Sequence, residues 1–264
     1  MKYLIGDIGN TFTKICILNN KFVILKSYQL ETDKISKSNH FYNIINNKFT
    51  KNLNPVFLFS SVVPKVFKGI KKKFKTSKYK FFEIKDFKLR KLIKINVKNK
   101  KQLGSDRIAN AIGVKKYKNC LVLDFGTATT FDVIRNGVYE GGVIAPGVKL
   151  SIQNLSKATA LLPLINLQGK QKNYGKNTKD ALNAGFVWGY EGLINNIITK
   201  IISRDKINYK ILLTGGYANF FKKIIKRKSF IDQNITVNGI AKVYKELIWV
   251  KKNYFFVLLA DQAK

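Results

Sequence analysis

Acidic residues are scarce in this chain of 264 residues: 15 Asp+Glu stand against 49 Lys+Arg, a formal net charge of +34. Histidine is scarcer still. His40 stands alone, which excludes a histidine-built metal site. The two cysteines, Cys16 and Cys120, lie in apolar runs and form no C-x-x-C pair, so they read as reduced core thiols of a cytosolic protein. Charges or strong turn formers interrupt every long apolar run, and no membrane span is expected. The N-terminus passes at once into a core strand. A cleaved leader would remove that strand, so secretion is rejected and a cytoplasmic location expected.

What remains is ample material for a core, since 45% of the chain is hydrophobic. Its length suits two compact lobes of roughly 100–150 residues each. The basic excess is nearly all lysine and accompanies abundant Asn, Ile, Phe and Tyr, the mixture that drift towards AT-rich codons produces. It is densest from Lys65 to Lys101, where sixteen Lys/Arg meet two acidic residues. Such a stretch invites a nucleic-acid reading. Its aromatics (Phe67, Phe74, Tyr79, Phe81, Phe82, Phe87) instead fit strand core, given the alternation around Tyr79–Ile84. A solvated basic face is favoured over a nucleic-acid partner.

Along the chain, Tyr3–Asp7 reads as a buried strand, Gly9-Asn10 as a turn and Phe12–Leu18 as the returning strand. Phe22–Leu30 follows as a third strand, and Glu31–Asn47 has weak helical periodicity. Val56–Ser60 reads as a strand, and Pro64 opens a lysine-rich amphipathic helix. Arg107–Tyr117 reads as a helix with Ile108, Ala111 and Ile112 inward. The pattern then restarts with strand Leu121–Asp124, turn Gly126-Thr127, and return strand Thr129–Ile134. Asn136-Gly137 signals a hairpin before Val138–Ile144. A helix opens at Pro146-Gly147 and runs through Leu155. A long one follows over Thr178–Ile202, interrupted by Gly185, Gly189 and Gly192. Tyr209–Leu213 is a last buried strand. The apolar run Tyr254–Leu259 has no functional reading. Strand hairpins followed by helices, twice over, predict an α/β protein of two similar lobes with mixed sheets flanked by helices, divided as 1–118 and 119–264.

The repeat is explicit. Leu4-Ile5-Gly6-Asp7-Ile8-Gly9-Asn10-Thr11 matches Leu121-Val122-Leu123-Asp124-Phe125-Gly126-Thr127-Ala128 at a separation of 117 residues. Each is an apolar strand, then Asp-x-Gly, then small polar residues. Glycine lets backbone N–H groups approach phosphate oxygens. Asn and Thr add hydrogen bonds, Lys14 adds a point charge, and an Asp at the strand end suits a hydrated metal ion. Thr214-Gly215-Gly216 after a buried strand is a weaker third element. Gly104-Ser105-Asp106-Arg107 sets a carboxylate beside a guanidinium at a helix start: a base and an anion clamp within one turn. Taken alone it would be an N-capping Asp and a surface Arg.

Together these motifs resemble the type III pantothenate kinase family of the actin/Hsp70/sugar-kinase superfamily. The likeness runs from Asp7-Ile8-Gly9-Asn10-Thr11 through Ser60-Ser61-Val62-Val63-Pro64, Leu103–Arg107 and Asp124–Thr129. It continues through Gly141–Gly147, Asn177-Thr178 and Thr214–Gly216 to Ile240. The resemblance implies two ribonuclease-H-like (actin-like ATPase) lobes. It also implies ATP-dependent phosphorylation of pantothenate towards coenzyme A, with magnesium, a monovalent cation (K+ or NH4+) and a homodimer. By position, Asp7, Ile8, Gly9, Asn10, Thr11, Phe12, Thr13 and Lys14 would line the ATP phosphates, with Asp7 holding Mg2+ through water. Thr127 would also touch ATP. Asp106 would accept the proton, and Gly104, Ser105, Asp106 and Arg107 would contact pantothenate. Asp124 would hold the monovalent cation, and Thr178 would reach substrate across the dimer.

One departure stands out. Val97 occupies the place of the family's pocket tyrosine, and Lys100 that of its usual proline. A lost phenol removes a hydrogen bond worth about 0.5–1.5 kcal/mol, which touches substrate affinity and not phosphoryl transfer. Two rivals stay open: a transcriptional accessory or nucleic-acid-binding homologue of the same fold, and a kinase of the superfamily with another small acceptor.

Overall fold

Hydrophobic alternation and the two Asp-x-Gly hairpins build the same sheet twice. The computed structural model describes residues 1–35, 39–46, 50–169 and 173–249, and its contacts divide the chain into two units. The first holds Met1–Lys116 and Asn234–Trp249; the second holds Tyr117–Gln233.

In the first unit, β1 (Lys2–Ile8), β2 (Phe12–Leu18), β3 (Ile24–Glu31), β4 (Leu53–Ser61) and β5 (Lys80–Glu83) form a sheet of order β3-β2-β1-β4-β5. β1 pairs antiparallel with β2, and β1, β4 and β5 run parallel. Helices α1 (Thr32–Ile35), α2 (His40–Ile45) and α3 (Pro64–Lys73) supply Ile35, Phe41 and Ile70 to a core with Leu4, Ile15, Phe57 and Phe81. The lysines of α3 are exposed, while Phe74 and Phe81 are buried: a solvated basic face over an aromatic core. Helices α4 (Ser105–Gly113) and α8 (Ile235–Val243) pack on each other and also meet β4 and β1. A short strand, β6, spans Lys94–Ile95.

The second unit repeats the plan. β7 (Cys120–Phe125), β8 (Ala128–Arg135), β9 (Val138–Pro146), β10 (Lys210–Gly215) and β11 (Ser229–Ile231) lie in the order β11-β10-β7-β8-β9. The antiparallel hairpin again continues into parallel strands. Helices α5 (Val148–Ala158), α6 (Thr178–Asp205) and α7 (Ala218–Lys222) cover it, with Ile152, Tyr190, Ile194 and Phe221 packed on Leu121, Leu123 and Phe131. The expected α/β architecture is present in both units.

Four details differ from expectation. Asn234–Trp249 belong with the first unit, not with residues 119–233, because α8 packs on α4. A Cβ on Gly239 would collide with the Ala109 carbonyl, and one on Gly113 with that of Ile235, so the two glycines set this close crossing. β3 starts at Ile24, since Phe22 (φ 62°) sits in a turn whose Lys21 and Val23 N–H groups donate to Asn19 Oδ1. α4 begins at Ser105 and stops at Gly113. α6 runs 28 residues without a break. Its glycines cost about 1 kcal/mol each in propensity, which the buried Val187, Tyr190, Ile194 and Ile198 outweigh. The run Tyr254–Leu259 lies outside the described residues.

Candidate functional site

In the first unit the β1–β2 turn is held from below. Gly9 N–H donates to the Phe12 carbonyl, 3.1 Å. Thr32 N–H donates to the Thr11 carbonyl, and its hydroxyl donates to the Gly9 carbonyl at 2.8 Å. The Thr13 and Thr32 hydroxyls are 3.0 Å apart and hydrogen-bonded. Ile8 and Thr13 are therefore buried supports that face the tip with backbone only, while Asn10, Thr11 and Phe12 are exposed on it. Lys14 reaches outward, and its Nζ donates to Asn234 Oδ1 at 3.0 Å, just before α8.

Three elements converge beside this turn. Asp7 is in register with Ser60 on β4, and Val62 N–H donates to the Ile8 carbonyl, 3.0 Å. Val62 Cγ1 also stands 3.6 Å from where a Gly104 Cβ would be. That same Cβ would collide with Asp106 Oδ1, so glycine at 104 leaves the room this carboxylate occupies. Asp106 is not the N-cap, which is Gly104; it lies in the first turn of α4 and accepts from Arg107 N–H at 2.7 Å. Burial pushes its carboxyl above the ordinary carboxylate range, and the charges of Arg107 and Lys85 only partly offset this. The matched residues Asp7–Lys14, Ser60–Pro64 and Gly104–Arg107 thus meet in one unit. Val97 lies on a partly exposed loop after β6.

The second unit has its own tip. Asp124 is in register with Thr214 on β10, as Asp7 is with Ser60. Gly126 N–H donates to the Ala128 carbonyl at 3.1 Å and leaves Thr127 exposed. A Cβ on Gly147, at the start of α5, would collide with the Thr127 carbonyl. Gly215 has φ 86°, and a Cβ there would come 2.7 Å from Asp124 Oδ1 and 2.6 Å from the Phe125 carbonyl oxygen. The carboxylate and the carbonyl oxygen are therefore packed on Gly215 more closely than any side chain there would allow. That oxygen-only set suits a hard cation. Thr178 is the first residue of α6, exposed, after Asn177, whose side chain accepts from Asp180 N–H.

Among the described residues no three of His, Cys, Asp and Glu cluster as a metal cage. Single carboxylates at strand ends fit magnesium held mainly by substrate phosphates and water. A cleft of about 610 Å³ lined by Met1, Lys51, Lys78 and Tyr79, at the opposite ends of the strands, contains none of the motif residues.

Two residues of this neighbourhood have no motif to announce them: Asn234, bonded to Lys14, and Glu83, bonded to the start of α4. A faint signal existed for Glu83, which is one of the two acids among the sixteen cations of Lys65–Lys101.

The family model described as type III pantothenate kinase matches residues 3–200. A type III pantothenate kinase of Pelagibacter ubique is 48% identical over 90% of this chain and 97% of its own length. One of Persephonella marina is 33% identical over 90% and 96%. Among solved structures, a Campylobacter jejuni protein assigned to the Baf family of transcriptional activators aligns with TM-score 0.62 at 22% identity, covering 92% of this chain and 98% of that one. A Sinorhizobium meliloti protein assigned as a 2-dehydro-3-deoxygalactonokinase aligns with TM-score 0.60 at 9% identity, over 96% and 99%. At these identities the last two show a shared fold.

Proposed function

The chain belongs to the type III pantothenate kinase family, which phosphorylates pantothenate with ATP towards coenzyme A, and from that premise we propose how its residues divide the work. Asp106 accepts the proton of the pantothenate primary hydroxyl as that oxygen attacks the γ-phosphorus. The bond from the γ-phosphorus to the β–γ bridging oxygen breaks, and ADP leaves. Arg107 and the Gly104 backbone hold the acceptor, with Arg107 matched to its carboxylate, and Ser105, buried, stands behind them. Asn10, Thr11 and Lys14 hold the phosphates, and Thr127 also touches ATP. Phosphoryl transfer is governed by positioning and electrostatics, so fixed backbone at the β1–β2 turn matters more than any single contact.

ATP comes with a divalent ion, and Asp7 is the residue that would hold it. Bound magnesium neutralises phosphate charge. A carboxylate at a strand end beside the Phe125 carbonyl oxygen supports Asp124 as the place of a monovalent cation, K+ or NH4+.

The observation that carries the catalytic assignment is the Asp106 carboxylate, half-buried at a helix start, in space kept by Gly104, with its proton affinity raised. A base used near neutral pH gains from that upward shift. The test is ADP release coupled to pantothenate. Asp106→Asn is expected to lose about 10²–10⁴-fold in kcat, and near-wild-type turnover would remove Asp106 as the base.

A homodimer is supported by the outer face of α6. Ala181, Gly185, Trp188, Gly189 and Gly192 form one exposed stripe, and nothing lies within 4 Å of a Cβ built on any of the three glycines. Helical spacing puts Thr178 on the same stripe, as a residue reaching a partner's substrate would be. Gly189→Glu is expected to convert the dimer to monomer in sedimentation. An unchanged sedimentation coefficient would move the interface elsewhere.

A further inference from the structure

Glu83 ends β5, in register with Phe59 of β4. Its Oε2 accepts from Lys85 N–H at 2.7 Å, and its own N–H donates to Asp86 Oδ2 at 2.8 Å, a reciprocal cap of the turn Ile84–Asp86. A turn cap needs nothing more. This carboxylate does more: Oε1 also receives Ser61 N–H, 3.4 Å, from the end of β4, and the Ser105 hydroxyl bonds to it from the first residue of α4. Ser105 is 1% exposed. Three chain segments therefore share one acceptor, and two of them are Gly104–Arg107, which carries Asp106, and Ser60–Pro64, whose Val62 borders Gly104. Burial raises the Glu83 carboxyl above its usual range despite these donors and the charge of Lys85. The molecule thus carries an unfavourably buried acid where a neutral cap would serve the turn.

We propose that Glu83 is a positioning residue for phosphoryl transfer: by tying the end of β4 to Ser105 it fixes where the neighbouring Asp106 stands. This rests on Asp106 as the proton acceptor. Misplacing a catalytic group by about 1 Å costs on the order of 100-fold, so the link is one whose loss appears in turnover.

The test uses the full chain, with steady-state ADP release and melting temperature for Glu83→Ala, Glu83→Gln and Ser105→Ala, each also combined with Asp106→Asn. Glu83→Ala and Ser105→Ala are each expected to lower kcat by about 10–100-fold while KM for ATP stays within about twofold. Combined, they cost no more than the worse single variant, because both cut the same link. Glu83→Gln keeps one acceptor oxygen and falls between Ala and wild type. In the Asp106→Asn background Glu83→Ala has no further effect on kcat. A Glu83→Ala enzyme that melts lower yet turns over at the wild-type rate overturns the proposal. If Glu83→Ala does not fold, Ser105→Ala decides alone, and an unchanged kcat overturns it. Full turnover in Asp106→Asn would sink the base assignment and this proposal together. A silent Ser105→Ala beside an inactive Asp106→Asn would sink this proposal only.

Discussion

The two hairpin tips share a strand order, a register and an aspartate, yet they are finished differently. The first is a longer turn, braced from beneath by Thr32, and its side chains Asn10, Thr11 and Lys14 project outward. The second is short, packed against Gly147, and has a glycine in the left-handed region standing over its carboxylate. One tip presents polar side chains; the other packs a carboxylate and a carbonyl oxygen against a glycine. On the roles proposed above, a duplicated fold keeps one carboxylate position and changes the partner each serves.

The largest expected effect separates these roles. Asp106→Asn should abolish most turnover at every potassium concentration, whereas Asp124→Asn should leave residual turnover that no longer responds to potassium. A titration of both variants with KCl checks this, and equal potassium responses in wild type and Asp124→Asn would erase the distinction. Glycine replacements sharpen it at a second level. Gly239→Ala forces a methyl into the Ala109 carbonyl and is expected to cost about 1–3 kcal/mol, read as a lower denaturation midpoint. Gly215→Ala is expected to cost about 1–2 kcal/mol for its positive φ and also to weaken potassium activation, a loss that Gly239→Ala should not show.

The smallest effect concerns pH. The folded Asp106 carboxyl holds its proton more tightly than the unfolded one, whose value is 3.8. Its contribution to stability is therefore full below that value and is lost as pH rises through the folded value. Asp106→Asn should accordingly melt higher than wild type at neutral pH, with the gap closing in acid, and a lower melting point would contradict the burial argument. The acid limb of kcat should likewise lie above the ordinary carboxylate range.

Local signals were legible from sequence and long-range ones were not. Phe12–Leu18 was readable to the residue because alternation and a turn bounded it. Asn136-Gly137, with φ 52° and 74°, makes the hairpin its residues demand. The family motifs marked Asp7, Asp106 and Asp124. What stayed hidden depends on contacts between segments that are not neighbours in the chain. The Gly239–Ala109 approach takes α8 back to the first unit, and no periodicity near Gly239 states that. Glu83 was hidden for a similar reason, since its meaning comes from Ser61 and Ser105 and not from its neighbours in the chain. The glycines of α6 misled because propensity counts their cost and not the packing on the helix's other face.

The close fit of Gly113 and Gly239 also sets an order of events during synthesis. These two residues are 126 positions apart, and the whole second unit is made between them. At roughly 5–20 residues per second, α4 waits about 6–25 s on the ribosome for the helix that covers it. Throughout that interval Ala109 and its neighbours have no α8 to shield them, and by its end the second unit has all of its strands. The nascent chain therefore completes its later unit first, and its earlier unit closes last, when Tyr244 brings its hydroxyl to the Asn54 side chain and the Val56 carbonyl on β4.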